Sequence, residues 1–316
     1  MLARRVTGAC CIERLRAGPK PFSRQIMSEL ILQSLYSGML VGGVYALIAL
    51  GLTLAFGTMR IINLAHGELV LLAAYIAYTV ESRFGVNPML SLPLALVIVC
   101  ACSAVVYFLV SRIKRNRELN SLMLTFALGM ILTNAVLLFW SSDIRSTGNA
   151  TMQDAVQIGS LYSMFSELLF FLVSIGVAAV LGWWLSRSWY GRAVRAVSSN
   201  RDAAKLMGIN PSKVELASFL VAGVLATIAG IAIYSSSVIS PPLGHSLTVK
   251  AFIITVLAGV GSVPGVVLAA FLLGITEAMT VTLFSSALQE LAGMLLFLIV
   301  LFIMPNGLFG AKKRRG

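Results

Sequence analysis

Long apolar segments dominate the sequence and decide what kind of fold the chain can adopt. A helix needs roughly 20 apolar residues to cross about 30 Å of hydrocarbon, and several segments reach that length. The eight segments span approximately residues 30–57, 61–80, 89–110, 121–140, 165–186, 214–236, 249–281 and 285–304. Hydrophobic residues make up 58% of the chain and charged residues only 11%, which is more apolar surface than one water-soluble core hides. The sequence therefore predicts an all-α, polytopic membrane bundle.

The basic residues lie in short blocks between the apolar segments. These blocks are the N-terminal residues 1–26, then residues 112–117, 187–213 and 312–315. Lys and Arg concentrate in this way in the cytoplasmic loops of membrane proteins. The formal net charge of +12 is therefore a sign of membrane topology. No aromatic and basic array typical of nucleic-acid binding accompanies it, so nucleic acid is not an expected partner.

The N-terminal residues 1–26 form a basic tail in this interpretation. They carry no apolar run long enough for a secretory signal, and a translation start at Met27 suits the sequence as well as one at Met1. The transmembrane domain is then expected over residues 27–310, followed by a basic cytoplasmic tail at 311–316.

The number of crossings stays open between eight and ten. If every basic block lies in the cytoplasm, an even number of crossings must separate neighbouring blocks. Eight single crossings do not meet this condition at either end of the chain. Dividing segments 30–57 and 249–281 at their glycines gives ten crossings. An N-terminus outside the cytoplasm repairs only the first end.

Two further features limit the possible functions. The connection from Ser141 to Phe165 holds few charges and is expected on the outer side, either as a surface for another protein or as a plain loop. The four cysteines form no CxxC or Cys/His cluster, so no metal, no cofactor and no disulfide framework is expected.

The basic block at 187–213 has the pattern of two short amphipathic helices. Small or apolar residues recur at helical spacing, Asn200 and Arg201 are expected between the two helices, and Pro211 is expected to end the second. The phrase YGRAVRAVSSNRDAAKLMGIN within it resembles the loop of ABC importer permeases that docks into a groove on an ATPase subunit. The alternative is a solvated helical hairpin that only fixes topology.

That resemblance implies a set of coupling residues in the loop. They are Gly191, Arg195, Asp202, Ala203, Ala204 and Gly208. Ala204 and Gly208 are four residues apart, so we expect them on one helix face, against the ATPase.

The stretch from Gly51 to Tyr75 is unusually polar for a membrane segment. It holds Arg60, Asn63, His66 and Glu68, each costly in hydrocarbon unless paired or facing water. Gly67 permits close packing of two backbones or a break in the helix. The stretch resembles the first signature of the same permeases and is expected to line the transport route with Asn63, His66 and Gly67. Hydrogen bonds that only hold the bundle together are the alternative.

The stretch from Lys250 to Met279 resembles another signature of these permeases. Its glycine-rich part lets a helix unwind, so that free backbone groups meet a zwitterionic substrate. The residues expected on this part of the substrate path are Gly259, Gly261, Ser262 and Gly265. Glu277, further along, is expected to pair with a buried partner.

Together the three phrases and their spacing cover residues 30–310. The chain thus resembles the integral-membrane permeases of high-affinity branched-chain amino-acid ABC importers, whose relatives also carry urea, short amides and other amino acids. The resemblance implies a second homologous permease, two cytoplasmic ATPase subunits, a periplasmic solute-binding protein and a bacterial inner membrane.

Other classes of function fit the sequence less well. An ion-coupled secondary transporter normally needs intramembrane acids, and only Glu68, Glu277 and Glu290 qualify. An intramembrane enzyme lacks its motifs, because the sequence contains neither HExxH nor GxSxG with partners. The sequence contains no phosphate-binding GxxxxGKS or GxxxxGKT loop either, so another chain is expected to hydrolyse ATP.

Overall fold

A computed structural model describes residues 24–113, 115–259, 261–304 and 307–308. The tail before Arg24 and the C-terminal basic block lie outside the described residues. Within them, the helices are α1 Arg24–Met59, α2 His66–Phe84, α3 Leu92–Ser111, α4 Arg117–Trp140, α5 Ala150–Gln153, α6 Phe165–Arg187, α7 Trp189–Ser199, α8 Arg201–Leu206, α9 Pro211–Ser236, α10 Leu243–Ala258, α11 Val263–Leu283 and α12 Gln289–Ile303. Two 3-10 turns cover Pro88–Ser91 and Ser286–Leu288, and one antiparallel hairpin pairs β1 Ala155–Ile158 with β2 Leu161–Met164.

Seven helices of the described chain are long and apolar enough to cross a membrane. These are α1, α3, α4, α6, α9, α11 and the segment Ser286–Ile303, which contains α12. Helix α10 is apolar but shorter, and α2 is long enough but carries His66, Glu68 and Glu81. The predicted all-α, polytopic membrane fold is confirmed.

The central helices are separated from the peripheral ones by burial. Of the 18 most apolar consecutive residues in α1, 83% are buried inside the protein, compared with 6% in the last span, Ser286–Ile303. Helices α1, α2, α9, α10 and α11 supply most of the main apolar core, and α4 and α12 lie on its outside.

Helix α1 is one continuous helix, so segment 30–57 does not divide at its glycines. Its glycines instead admit α11: a Cβ on Gly38 would lie 2.7 Å from the Cα of Ile275, and one on Gly42 would lie 3.0 Å from the Cα of Phe271. Segment 249–281 does divide, between Ala258 and Val263. Glycine therefore serves packing in one segment and a helix break in the other.

The two ends of α1 distinguish the two sides of the bundle. Near its start, the Gln33 side chain donates to the Tyr162 carbonyl at 2.6 Å, beside the hairpin. After its end, the Arg60 guanidinium donates to the Ser198 carbonyl of α7 at 3.0 Å. Since 36 residues of helix span about 54 Å, the hairpin and the 187–213 loop lie on opposite sides. We call these the hairpin side and the loop side.

This arrangement puts the start of α1 on the hairpin side. The sequence predicted a tail on the same side as the 187–213 loop, which needed two crossings in segment 30–57. A single α1 instead agrees with the alternative of an N-terminus on the other side, although the tail itself lies outside the described residues.

On the hairpin side, hydrogen bonds to one carboxylate hold several segments together. Glu81 of α2 accepts from the Thr147 hydroxyl at 2.9 Å and from the Gly148 amide at 3.0 Å. The hydroxyl of Tyr234, near the end of α9, also donates to Glu81. The connection between α4 and α6 is thereby held against the ends of α2 and α9.

The two-sided arrangement predicts opposite labelling of two exposed positions. In a variant without native cysteines, Ser199→Cys on the loop side should react with an impermeant thiol reagent only in inverted vesicles. Gln157→Cys on the hairpin should react only in intact spheroplasts, because a charged reagent does not cross the bilayer. Labelling of both positions from the same side would contradict the topology.

Candidate functional site

The 187–213 loop folds into a compact helical pair. Ser188 caps α7 by accepting from the Gly191 amide at 3.0 Å, and Asn200 caps α8 by accepting from the Asp202 and Ala203 amides. Asn200 lies between the two helices, as predicted, but Arg201, which was predicted to lie there too, is the first residue of α8. The prediction for Pro211 is wrong, because α8 ends at Leu206 and Pro211 begins α9, where a proline needs no amide partner.

Two of the predicted coupling residues anchor this pair to α6. Gly191 lies against the last turn of α6, where a Cβ would be 1.8 Å from the Leu185 carbonyl oxygen, so only glycine fits. Arg195 donates to the same carbonyl at 2.6 Å. Tyr190 stacks on Trp184 with ring centroids 4.7 Å apart. These contacts make the start of α7 a rigid continuation of α6.

Only some of the remaining predicted coupling residues are exposed on the surface of the loop. Asp202, Ala203 and Gly208 are exposed. Ala204 is only 4% exposed and packs in a small core with Ala193, Val197 and Val214. The expectation that Ala204 and Gly208 share one outward face is therefore wrong.

The two residues do not share a helix face because α8 ends before Gly208. Gly208 has φ of 80°, a left-handed conformation that suits glycine, and it follows the last helical turn. A side chain at this position strains the backbone whether or not a partner binds there.

The most exposed apolar side chains of the loop are ones that the motif did not mark. Leu206 is 89% exposed and Met207 is 81% exposed. Beside them a groove of about 490 Å³ is lined by residues that include Trp189, Ala196, Ala203 and Met207. Exposed apolar side chains next to an apolar groove are typical of a protein-binding surface. The sequence signal for them was two consecutive large apolar residues at the end of a short helix in a basic loop.

The polar stretch after α1 runs back into the bundle without helical structure. Asn63 and His66 are almost fully buried, and the His66 Nε2 atom lies 3.0 Å from the Ile48 carbonyl oxygen. Ile48 is 11 residues before the end of α1, or about 17 Å along the helix axis, which is close to the middle of a bilayer. Helix α2 therefore begins in the interior of the membrane domain and runs to the hairpin side.

The start of α2 meets the start of α10. The Gly67 amide donates to the Thr248 hydroxyl at 2.9 Å, and a Cβ on Gly67 would lie 2.2 Å from the Gly244 carbonyl oxygen. Glu68 fills the space beside Gly244, and its Oε2 atom is buried without a hydrogen-bond partner among the described residues. We call this contact the half-helix junction.

Helix α10 runs from this junction in the other direction. Its Thr255 hydroxyl lies 2.9 Å from the hydroxyl of Thr53, six residues before the end of α1 and thus near the loop side. Two helices consequently begin face to face and diverge. The N-terminal end of each carries the partial positive charge of its helix dipole.

The predicted glycine-rich path lies elsewhere. Gly259 and Gly261 have φ of 80° and 92°, and they form a break between α10 and α11. Ser262 caps α11 by accepting from the Gly265 amide at 3.2 Å, so Gly265 belongs to the helix and not to the break. The 11 residues from Thr248 to Gly259 put the break about 17 Å from the junction. The structure does not bring the two predicted parts of the path together.

The buried partner predicted for Glu277 is present. The Lys250 ammonium donates to the Glu277 Oε2 atom at 2.7 Å, and the Tyr45 hydroxyl and the Gln289 amide both donate to that oxygen at 2.9 Å. Three donors satisfy one buried carboxylate oxygen and join α1, α10, α11 and α12. In the described chain, no group of three or more His, Cys, Asp and Glu residues has the geometry of a metal site.

Comparison with known proteins assigns the chain to a family. The sequence profile of the family described as "Branched-chain amino acid transport system / permease component" matches residues 34–304. No solved structure matches the chain significantly.

Several characterised relatives cover most of the chain. The high-affinity branched-chain amino acid transport system permease protein BraD of Pseudomonas aeruginosa is 31% identical, over 88% of this chain and 95% of that protein. The corresponding permease LivH of Escherichia coli is 28% identical over the same shares. The xylose transport system permease XylH of Haemophilus influenzae is 36% identical, over only 37% of this chain and 34% of its own length. A profile that matches nearly the whole membrane domain shows that the chain belongs to the family of permease components of branched-chain amino acid transport systems.

Proposed function

We propose that this chain is the transmembrane permease subunit of an ABC importer that carries branched-chain amino acids across a bacterial inner membrane. The observation that carries the proposal is the family match over residues 34–304, together with relatives named for branched-chain amino acid transport. The sugar permease covers about a third of the chain, so it supports this substrate class less. Two ATPase subunits, a second homologous permease and a solute-binding protein complete the proposed complex.

The proposed ATPase-binding surface is the outer face of α7 and α8. The caps at Ser188 and Asn200 and the packing of Ala204 make the helical pair rigid. Asp202, Ala203, Leu206 and Met207 face outward beside the groove. A rigid element with exposed apolar side chains fits a groove on another protein, and burial of those side chains supplies the binding free energy.

The proposed substrate route passes the half-helix junction. Broken helices whose N-termini meet inside a membrane domain place the positive ends of two helix dipoles where a carboxylate binds. In this chain Asn63, His66 and Gly67 all lie at or next to that point. The break at Gly259 and Gly261 lies nearer the loop side and is proposed as a hinge on the same route.

The docking proposal predicts a selective effect of charge on α8. Leu206→Glu should reduce the ATPase recovered with the affinity-tagged permease roughly tenfold or more, because a charge would be buried against an apolar surface. The matched control is Ile144→Glu, since Ile144 is 70% exposed on the hairpin side and is expected to leave ATPase recovery unchanged. Equal recovery from both variants would contradict the docking surface.

The junction proposal predicts that one methyl group at Gly67 blocks transport. Gly67→Ala should abolish uptake in proteoliposomes, because the added Cβ overlaps the Gly244 carbonyl and the Thr248 hydroxyl and separates α2 from α10. Gly57→Ala is the control, because nothing lies within 4 Å of a Cβ there. Normal uptake by an inserted Gly67→Ala protein would show that the close contact is unnecessary.

A further inference from the structure

Glu215 is the most deeply buried charged side chain on the loop side. It lies in the second turn of α9, and the residue is 0% exposed. The Arg201 guanidinium of α8 donates to both of its oxygens, at 2.7 Å from Nε and at 3.3 Å from Nη2. The Arg117 guanidinium at the start of α4 lies 3.8 Å from Oε2. One carboxylate therefore connects the loop with two membrane helices.

This ion pair differs from an ordinary surface pair. The Arg201 side chain is 46% exposed, whereas that of Glu215 is 1% exposed. A pair between exposed side chains contributes little, but a buried carboxylate that loses its partner remains as an uncompensated charge. The two hydrogen bonds also fix the orientation of the Arg201 side chain relative to Glu215, because a planar guanidinium donates to both oxygens of a carboxylate in few orientations.

The ends of the loop are held differently. Helix α7 is joined to α6 by Arg195 and to α9 by the Tyr190 hydroxyl, which lies 2.7 Å from the Ser218 hydroxyl. Burial raises the pKa of Tyr190 to about 12, so this hydroxyl stays protonated. In the part of the chain that the structure describes, α8 has one side-chain polar contact with the membrane helices, the pair between Arg201 and Glu215.

Helix α4 continues the connection toward the half-helix junction. Eight residues after Arg117, the Thr125 hydroxyl accepts from the Leu64 amide at 3.2 Å and lies 3.3 Å from the Ile62 carbonyl. The Leu64 carbonyl in turn accepts from the Thr248 hydroxyl at the junction. Two ion pairs, the first two turns of α4 and the Thr125 hydrogen bonds thus connect α8 with the point where α2 and α10 begin.

We propose that Glu215 is a positioning residue that converts ATPase-driven movement of α8 into movement of the membrane helices. The inference rests on the proposed docking of an ATPase to the 187–213 loop. Without the Glu215 carboxylate, α8 still presents Leu206 and Met207 and keeps the packing of Ala204 against Val214, but it loses the polar link that fixes its orientation relative to α4 and α9. Docking is retained, and the coupling between ATP hydrolysis and transport is lost.

The test uses the complete complex in proteoliposomes, with partner ATPase subunits and solute-binding protein. The variants are Glu215→Gln, Arg201→Met and the double variant, and the control is Glu118→Gln, an exposed carboxylate next to Arg117. Three quantities are measured: ATPase subunits recovered with the tagged chain, ATP hydrolysis, and amino acid transported per ATP hydrolysed.

Both single variants should keep ATPase recovery and lower transport per ATP roughly tenfold, a typical size for coupling between two sites. The double variant should be no worse than Glu215→Gln, because interacting residues have non-additive effects. Glu118→Gln should behave as the unmodified protein. A purely structural role would instead lower recovery and transport together.

Unchanged transport per ATP in Glu215→Gln would overturn the proposal, and so would additive losses in the double variant. If Glu215→Gln fails to insert, the half-exposed Arg201→Met carries the same test, and normal coupling in that variant overturns the proposal too. Failure of the unmodified chain to retain any ATPase would refute the docking function itself, which is a distinguishable result.

Discussion

Everything in the middle of this molecule depends on satisfying backbone polar groups where no water is available. Residues 60–65 are non-helical and run from the loop side to membrane depth, where an unpaired amide or carbonyl costs several kcal/mol. Side chains supply the partners: Thr125 binds the Leu64 amide, Thr248 binds the Gly67 amide, and Asn63 accepts from the Ala65 amide. The half-helix junction exists because α4 and α10 bring these hydroxyls to the broken backbone. Those two helices are consequently the elements whose displacement would open or close it.

Some features of the fold were predictable from the sequence and others were not. The apolar segments and the basic loop follow from composition and charge, so the sequence predicted the class of fold and the position of the loop. It did not distinguish a glycine that packs from a glycine that breaks a helix. Gly38 and Gly42 contact α11, whereas Gly259 and Gly261 end α10. The distinguishing signal was local, because Ser262 and Pro264 form a helix start after the second pair and nothing comparable follows the first.

The helical pair of the 187–213 loop was predictable from the sequence, but the direction in which its residues point was not. The resemblance marked Ala204, which packs inward, and left out Leu206 and Met207, which face outward. The direction in which a residue of a six-residue helix points depends on how α8 packs against α7 and α9. That packing arises from long-range contacts, such as the pair between Arg201 and Glu215, which no periodicity reveals. For the same reason the sequence did not identify the partner of Glu277, because Lys250 precedes it by 27 residues, across a helix break.

Two of the three buried carboxylates in the described residues, Glu215 and Glu277, illustrate different uses of a costly group. Glu277 receives hydrogen bonds from Lys250, Tyr45 and Gln289, and both ionic partners are nearly buried, so the cluster holds four helices in one arrangement. Glu215 is equally buried, but its guanidinium partners are partly exposed and belong to elements at the surface. A pair of the first kind favours one packing of the bundle. A pair of the second kind joins an element that reaches out of the membrane to the helices beneath it, as the proposed transmission of movement through the 187–213 loop requires.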